Sequence, residues 1–384
     1  MRKGACVDRV ATEEAVLAPR RGAADDARYH NEIRRQVLET HPEAATLIGP
    51  DWRTVLFVVL NIGLYWTIAW GVSRTNWWIT FLAAFVVGQT IYHSTGVLIH
   101  ENAHRLVFRN AKARFAYDVL TEMLVTSFGY QLLYQHNHVT SHHAHLGDYE
   151  ADYEHEDAFY VRARRLYREQ HPIRYRLLSI GILIFHLLPF AIVTDTVFFP
   201  KLMERWTGLP ARDKARKAVA TRPLRSELYA LALVSLAVNI GLYLAFGFLG
   251  WLFHIWSMSL VLSRWGASIR GQVLSEHYGE DSEQPTRSTY WWGNRIFYNI
   301  GYHVEHHSFS AIPWMKLPRL QAIAPEVFNT GNELNYYGFW WKQVKADFTL
   351  SRRRSAIDPD VIIRQRAVES AQENTESSAA SIAA

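Results

Sequence analysis

Two pairs of long, uncharged apolar runs set the pattern of the chain. Residues 54–73 read TVLFVVLNIGLYWTIAWGVS, and residues 77–99 follow after only Arg74, Thr75 and Asn76. Residues 228–246 and 248–262 make the second pair, joined by an equally tight turn near Gly247 and Gly250. Runs of this length match a hydrocarbon core roughly 30 Å thick. Buried helices of a soluble protein do not ordinarily come as two closely spaced pairs of such runs. The pattern therefore predicts an all-α, multi-pass integral membrane protein with about four transmembrane helices. Two weaker stretches, 115–134 and 177–199, carry Asp118, Glu122, His186, Pro189 and Asp195. They read as interfacial or re-entrant helices rather than full spans.

The ends of the chain look different. Residues 1–28 mix Arg, Ala, Asp and Glu without a period and lack the apolar core of a signal peptide, so they read as a disordered tail. Residues 356–384 form a polar C-terminal tail, which leaves 29–355 as one membrane domain. Basic residues are dense in RARRLYR (162–168), ARDKARK (211–217) and SRRRS (351–355), whereas the short turns within the two pairs carry only Arg74. The positive-inside rule then places both termini and the long central segment in the cytoplasm. A net charge of +5 is too small to point to nucleic acid as a partner. Cys6 is the single cysteine, so an intrachain disulfide is impossible and any metal must be held by His, Asp, Glu or Asn. That argues against zinc fingers and iron–sulfur clusters.

Eighteen histidines supply the candidate chemistry. HENAH places His100 and His104 four apart, directly after the second run. HVTSHH contains His138, His142 and His143, and YHVEHHSF contains His303, His306 and His307. His277, in SEHYGED, follows the last run. Residues four apart on a helix share a face, so each cluster can aim imidazoles at one point. With four spans, every cluster falls on the cytoplasmic side, as a histidine-rich di-metal cap. Nine imidazoles exceed the roughly four ligands of a closed zinc site and suit two metals. Imidazole without thiolate, with positions left open, suits iron that activates oxygen. A membrane face suits a lipid substrate, whose inert C–H bonds call for an oxidant kept away from water.

At this point the residues resemble a known family, the membrane fatty acid desaturases and hydroxylases with their three histidine boxes. The nearest branch is that of the sphingolipid Δ4-desaturases. HENAHRLVFRN (100–110) is similar to its first box, HHAHLGD (142–148) to the end of its second, and residues 271–326 to its third-box region nearly throughout. YHNEIRRQVLETHPEAATLIGPD (29–51) resembles its segment before the first span. The resemblance implies that His100, His104, His138, His142, His143, His277, His303, His306 and His307 ligate two iron ions. It implies an O2-dependent desaturase acting on a fatty acyl or sphingoid chain, with lipid or alkane hydroxylation as the alternative outcome. It also implies residence in the bacterial cytoplasmic membrane, or in the endoplasmic reticulum of a eukaryote. A separate electron donor, cytochrome b5-like or ferredoxin-like, and its reductase are expected, because no HPGG haem-binding segment is present (His41–Pro42 is followed by Glu43–Ala44). Two positions depart from the branch. The second box is H-x3-HH rather than H-x2-HH, which leaves His138 or His136 as the ligand, and Gln272 stands where the branch carries another histidine.

Other residues have more than one reading. Glu101 and Glu305 lie inside boxes and are expected to accept a hydrogen bond from a ligand's second ring nitrogen, or else to be solvated. His93 reads as a hydrogen-bonded core histidine. The acidic run GDYEADYEHED (147–157), flanked by His145 and containing His155, reads as a solvated loop or a dock for a basic redox partner. Trp251, Trp256, Trp265, Trp291 and Trp292 read as interfacial anchors or as the walls of a lipid tunnel. Two rival functions fit parts of the pattern. An intramembrane zinc metalloprotease would use HENAH with Glu101 as base, but leaves the other clusters idle. A metal transporter would want its ligands inside the spans.

Overall fold

The computed structural model describes residues 23–146, 152, 166–189, 198–208, 225–277, 285–328 and 331–349. The basic stretch 211–217, the C-terminal tail and most of the acidic run lie outside the described residues. Helix α1 (Ala23–Thr40) starts inside the stretch read as a tail. It is followed by α2 (Thr54–Val72), then by α3 (Trp77–Ala83) and α4 (Gln89–Ala103), which join through a π turn at Ala84–Gly88. Next come α5 (Ala111–Val125), α6 (Tyr130–Asn137), α7 (Pro172–Phe185), α8 (Phe199–Thr207) and α9 (Arg225–Leu262). The chain continues through α10 (Ala267–His277), α11 (His303–Ser308), α12 (Leu317–Ile323) and α13 (Tyr336–Thr349). No strand occurs among the described residues beyond one isolated bridge, Ser288 to Gly331.

Three helical stretches are long and apolar enough to cross a membrane: Thr54–Val72, Trp77–Ala103 and Arg225–His277. Their outward faces carry exposed Leu56, Leu60, Trp78, Leu82, Leu233 and Leu244. An apolar surface of this extent is unfavourable in water and suits lipid. The third stretch does not run straight. Gly247 takes φ 66, ψ −169, a conformation essentially restricted to glycine. Trp251 Nε1 donates to Asn239 Oδ1 at 3.0 Å although the two are twelve residues apart. A continuous helix would separate them by about 18 Å. The chain therefore doubles back at Gly247, as expected from the tight turn between the last two apolar runs.

Polar side chains knit the helices together inside this apolar belt. Asn61 on α2 donates to Thr95 on α4 at 3.0 Å and accepts from Tyr298 at 2.8 Å. His254 on α9 reaches Tyr65 of α2 at 3.2 Å and Thr126, just after α5, at 2.7 Å. The apolar stretch 115–134 becomes two helices, α5 and α6, which turn at Thr126–Gly129. Glu122, buried in α5, accepts from Gln131 Nε2 at 2.6 Å, from Ser127 Oγ at 2.9 Å and from Ser235 Oγ. Those donors account for a carboxylate in an otherwise apolar segment. Trp256 and Trp265 donate to the Leu187 and Leu183 carbonyls, each at 2.7 Å, and so staple the end of α7 to α9 and its exit. Trp292, by contrast, is exposed.

A second, smaller core lies at one end. Ile33 and Val37 of α1 pack with Val304, Phe309, Ile312, Leu320 and Phe328. Helix α13 lies so close to α10 that a Cβ on Gly271 would stand 1.9 Å from the Tyr336 carbonyl oxygen. Helix α1 packs on α11, and α4 on both α6 and α10, so these helices come together where the histidine boxes meet.

Candidate metal centre

The eight histidines singled out by spacing converge, together with His277, noted for its place after the last apolar run. They form two groups whose candidate ligand nitrogens lie within 4.8 Å of one another inside each group: His100, His104, His138, His143 and His306, and then His142, His277, His303 and His307. The first box serves only the first group, while the second and third boxes divide between the two. The groups adjoin, since the His143 and His307 rings stack with centroids 4.2 Å apart.

Local backbone geometry explains the division. Helix α4 ends at Ala103 with His104 as its C-cap, so His100 and His104 stay on one face a turn apart. After α6 the chain enters a π turn at His138–His142, closed by the His143 N–H on the His138 carbonyl at 2.9 Å. A π turn takes one residue more than an α turn, and such turns recur at functional sites. It absorbs the extra residue of the H-x3-HH box and returns His138 to the face that carries His143. His138 Nε2 and His143 Nε2 are 3.1 Å apart, and His136 is in neither group. The geometry thus favours His138 over His136.

The ring nitrogens fit metal ions. His143 Nε2 lies 3.2 Å from His306 Nε2, and His277 Nε2 lies 2.9 Å from His303 Nε2. Two nitrogens about 2.1 Å from one ion and at right angles to each other are about 3 Å apart, so these spacings suit shared ions. His100 Nδ1, His104 Nε2 and His307 Nε2 are buried without a hydrogen-bond partner. Orphaned buried nitrogens of this kind need an explanation, and coordination of a metal ion is one. Burial, reinforced by the neighbouring imidazoles, holds His138, His143, His303, His306 and His307 well below the usual histidine pKa, and His104 down to about 3. Neutral imidazole is the form that binds metal.

The carboxylates differ from expectation. Glu101 and Glu305 are buried, but among the described residues neither hydrogen-bonds a histidine. Glu101 accepts the Trp314 backbone N–H at 3.1 Å, and Glu305 accepts from Ser288 Oγ and Tyr290 Oη, both at 2.6 Å. Burial pushes the Glu305 carboxyl up to about 7. Successive residues on a helix point about 100° apart, so a glutamate next to a ligand does not naturally face that ligand's ring. Asp152, from the acidic run, lies 3.0 Å from His142 Nδ1, and Glu276 lies 3.5 Å from His303 Nδ1. Spacing gave no reason to single out either. His30 is a further find: its ring nitrogens pair with Ser308 Oγ and Thr286 Oγ1, each at 3.0 Å, beside His307. His93 is a buried core histidine, as expected, and pairs with Gln272 at 2.5 Å.

Comparison with known proteins agrees with this geometry. The family model described as "Fatty acid desaturase" matches residues 75–340. The human sphingolipid delta(4)-desaturase DES1 is 26% identical over 335 residues, covering 84% of this chain and 88% of its own. The rat sphingolipid delta(4)-desaturase/C4-monooxygenase DES2 is 27% identical over 309 residues, covering 78% and 83%. The sphingolipid delta(4)-desaturase of Komagataella phaffii is 27% identical over 318 residues, covering 78% and 77%. No solved structure matches.

Proposed function

The chain belongs to the fatty acid desaturase family, and on that premise we propose that it is an O2-dependent di-iron desaturase acting on a sphingoid or fatty acyl chain. The observation that carries this reading is the convergence of nine histidines as two adjoining groups at the end of apolar helices. When bound, two irons supply the oxidant that removes two hydrogens from adjacent methylenes. O2, two electrons and two protons are consumed, and two waters and an alkene leave. A donor separate from this chain provides the electrons.

The protein's own residues hold and orient. His100, His104, His138, His143 and His306 hold one iron, and His142, His277, His303 and His307 the other. Asp152 keeps the His142 ring turned so that its second nitrogen can take metal. Glu101 and Glu305 act indirectly: by tying down the Trp314 backbone and the Ser288–Tyr290 segment, they brace the first and third boxes. The reversal at Gly247 makes four membrane crossings. The boxes and both termini then face the cytoplasm, in agreement with the basic stretches.

A second reading is favoured by one observation, the C4-monooxygenase activity in the name of the rat relative. Oxygen transfer to the same carbon, in place of a second hydrogen abstraction, would yield an alcohol. Lipid mass spectrometry of cells with and without the gene separates the two: loss of two hydrogens marks desaturation, and gain of one oxygen marks hydroxylation. Purified protein should contain about two irons per chain. One zinc would support the protease, and loosely held mixed metal a transporter. Substituting His306→Ala should abolish lipid oxidation while the protein still inserts in the membrane. Full activity in that variant would sink the assignment.

A further inference from the structure

A line of polar contacts, buried at His93 and Glu276 and half-buried at Gln272, runs from the second apolar stretch to the four-histidine group. His93 Nε2 lies 2.5 Å from Gln272 Oε1, and Gln272 Nε2 donates to Glu276 Oε2 at 3.0 Å. Glu276 Oε1 in turn lies 3.5 Å from His303 Nδ1. Gln272 and Glu276 are four apart on α10, so both side chains project from one face of the helix. The polarity of the line is consistent. The Gln272 amide group donates to the carboxylate, so its carbonyl faces His93, which must then carry its proton on Nε2.

We infer that Glu276, held in place by Gln272 and His93, is a positioning residue for His303. This rests on the reading that the four-histidine group binds metal. His303 Nε2 faces His277 Nε2 at 2.9 Å, so Nε2 is its metal-side nitrogen. A metal on Nε2 obliges Nδ1 to carry the proton, and Nδ1 is buried without a hydrogen bond. The Glu276 carboxylate is the acceptor poised to take that N–H once the ring is drawn onto an ion. A carboxylate in that place fixes the ring's tautomer and orientation and makes the imidazole a stronger donor to metal. Alone, a buried carboxylate would be free to swing or to protonate. The Gln272 amide prevents this by occupying its other oxygen, and His93 prevents the amide from flipping. Asp152 serves His142 in the same way, so both carboxylates stand behind the four-histidine group. The two iron sites are thereby made unequal.

The test uses the full-length chain in detergent micelles, loaded with Fe(II) without oxygen and challenged with a graded Fe(II) chelator. The wild type is expected to hold two irons. Glu276→Ala should loosen one of them by about 10–100-fold and leave the other as in the wild type. Mössbauer spectra should show the change in one iron signal only. Glu276→Gln, whose amide oxygen still accepts a hydrogen bond, should recover part of the affinity. Gln272→Ala and His93→Phe should weaken the same iron to a smaller extent. Unchanged affinity for both irons in Glu276→Ala would overturn the inference. Equal loss of both irons in Glu276→Ala and Glu276→Gln would also overturn it, by showing a general structural role. A wild type that holds fewer than two irons would instead remove the di-iron reading, and this inference with it.

Discussion

Asp152 and His142 meet under complete burial. The carboxylate oxygens lie 3.0 and 3.2 Å from Nδ1, with side chains 0% and 1% exposed. One carboxylate of the acidic run thus lies inside the molecule, on a candidate ligand. Substituting Asp152→Ala should lower iron affinity and lipid turnover by about 10–100-fold. Asp152→Asn, which keeps an acceptor oxygen but not the charge, should lose less. Chelator challenge and product analysis on the same preparations check both. Wild-type iron retention in Asp152→Ala would show that the contact is incidental.

Removing Val139 tests the π turn. Without it the box reads H-x2-HH, and an ordinary α turn then keeps His138 and His143 on one face. The deletion should keep two irons bound and retain activity within several-fold. Deletion of Ala144, just beyond the box, is the control that leaves the turn in place. Metal content and turnover of the Val139 deletion decide the matter: loss of iron would mean that the turn does more than absorb a residue.

Gly247 carries the reversal in α9 with φ 66 and ψ −169. A Gly247→Ala substitution should cost about 1–3 kcal/mol. No atom lies within 4 Å of the added Cβ, so the penalty is conformational and not a clash. A drop in thermal midpoint in micelles, at unchanged iron content below that midpoint, is the expected result.

A pH effect follows from His41, which bonds Glu326 at 2.8 Å and ties the end of α1 to the segment after α12. The Glu326 hydrogen bond raises the His41 pKa above 6.5, so that contribution is full below 6.5 and fades as pH rises through the raised value. Glu326 is lowered below 4.5, by its own backbone N–H and then by His41, so its contribution is full above 4.5 and fades on acidification. Protection of α1 against proteolysis should therefore be greatest between 4.5 and 6.5. His41→Gln should abolish the alkaline fall, and added salt should shrink it, because the pair is largely exposed.

Much of this was legible in the sequence, for identifiable reasons. The apolar runs report their environment directly, and eight of the nine histidines report themselves by helical spacing, with His277 marked only by its place after the last run. Their division into groups was not legible. His142 and His143 are neighbours in the chain and part company in space, because adjacent side chains on a helical turn diverge. That His138 lies with His143 while His136 does not follows from a π turn, whose only trace in the sequence is one residue of spacing. The carboxylates were read at Glu101 and Glu305, inside the boxes, but Asp152 and Glu276 are the ones facing imidazoles. Which acid meets which ring depends on how α6, α10 and α11 are brought together, and no local pattern encodes that.

The hydrogen bond between His30 and Ser308 joins residues 278 positions apart. Helix α1 leaves the ribosome well before its partners around the third box are made. During synthesis the early helices can enter the bilayer while His100, His104, His138, His142 and His143 wait for the rest of their shell. Neither group of histidines is therefore complete until the third box has been made.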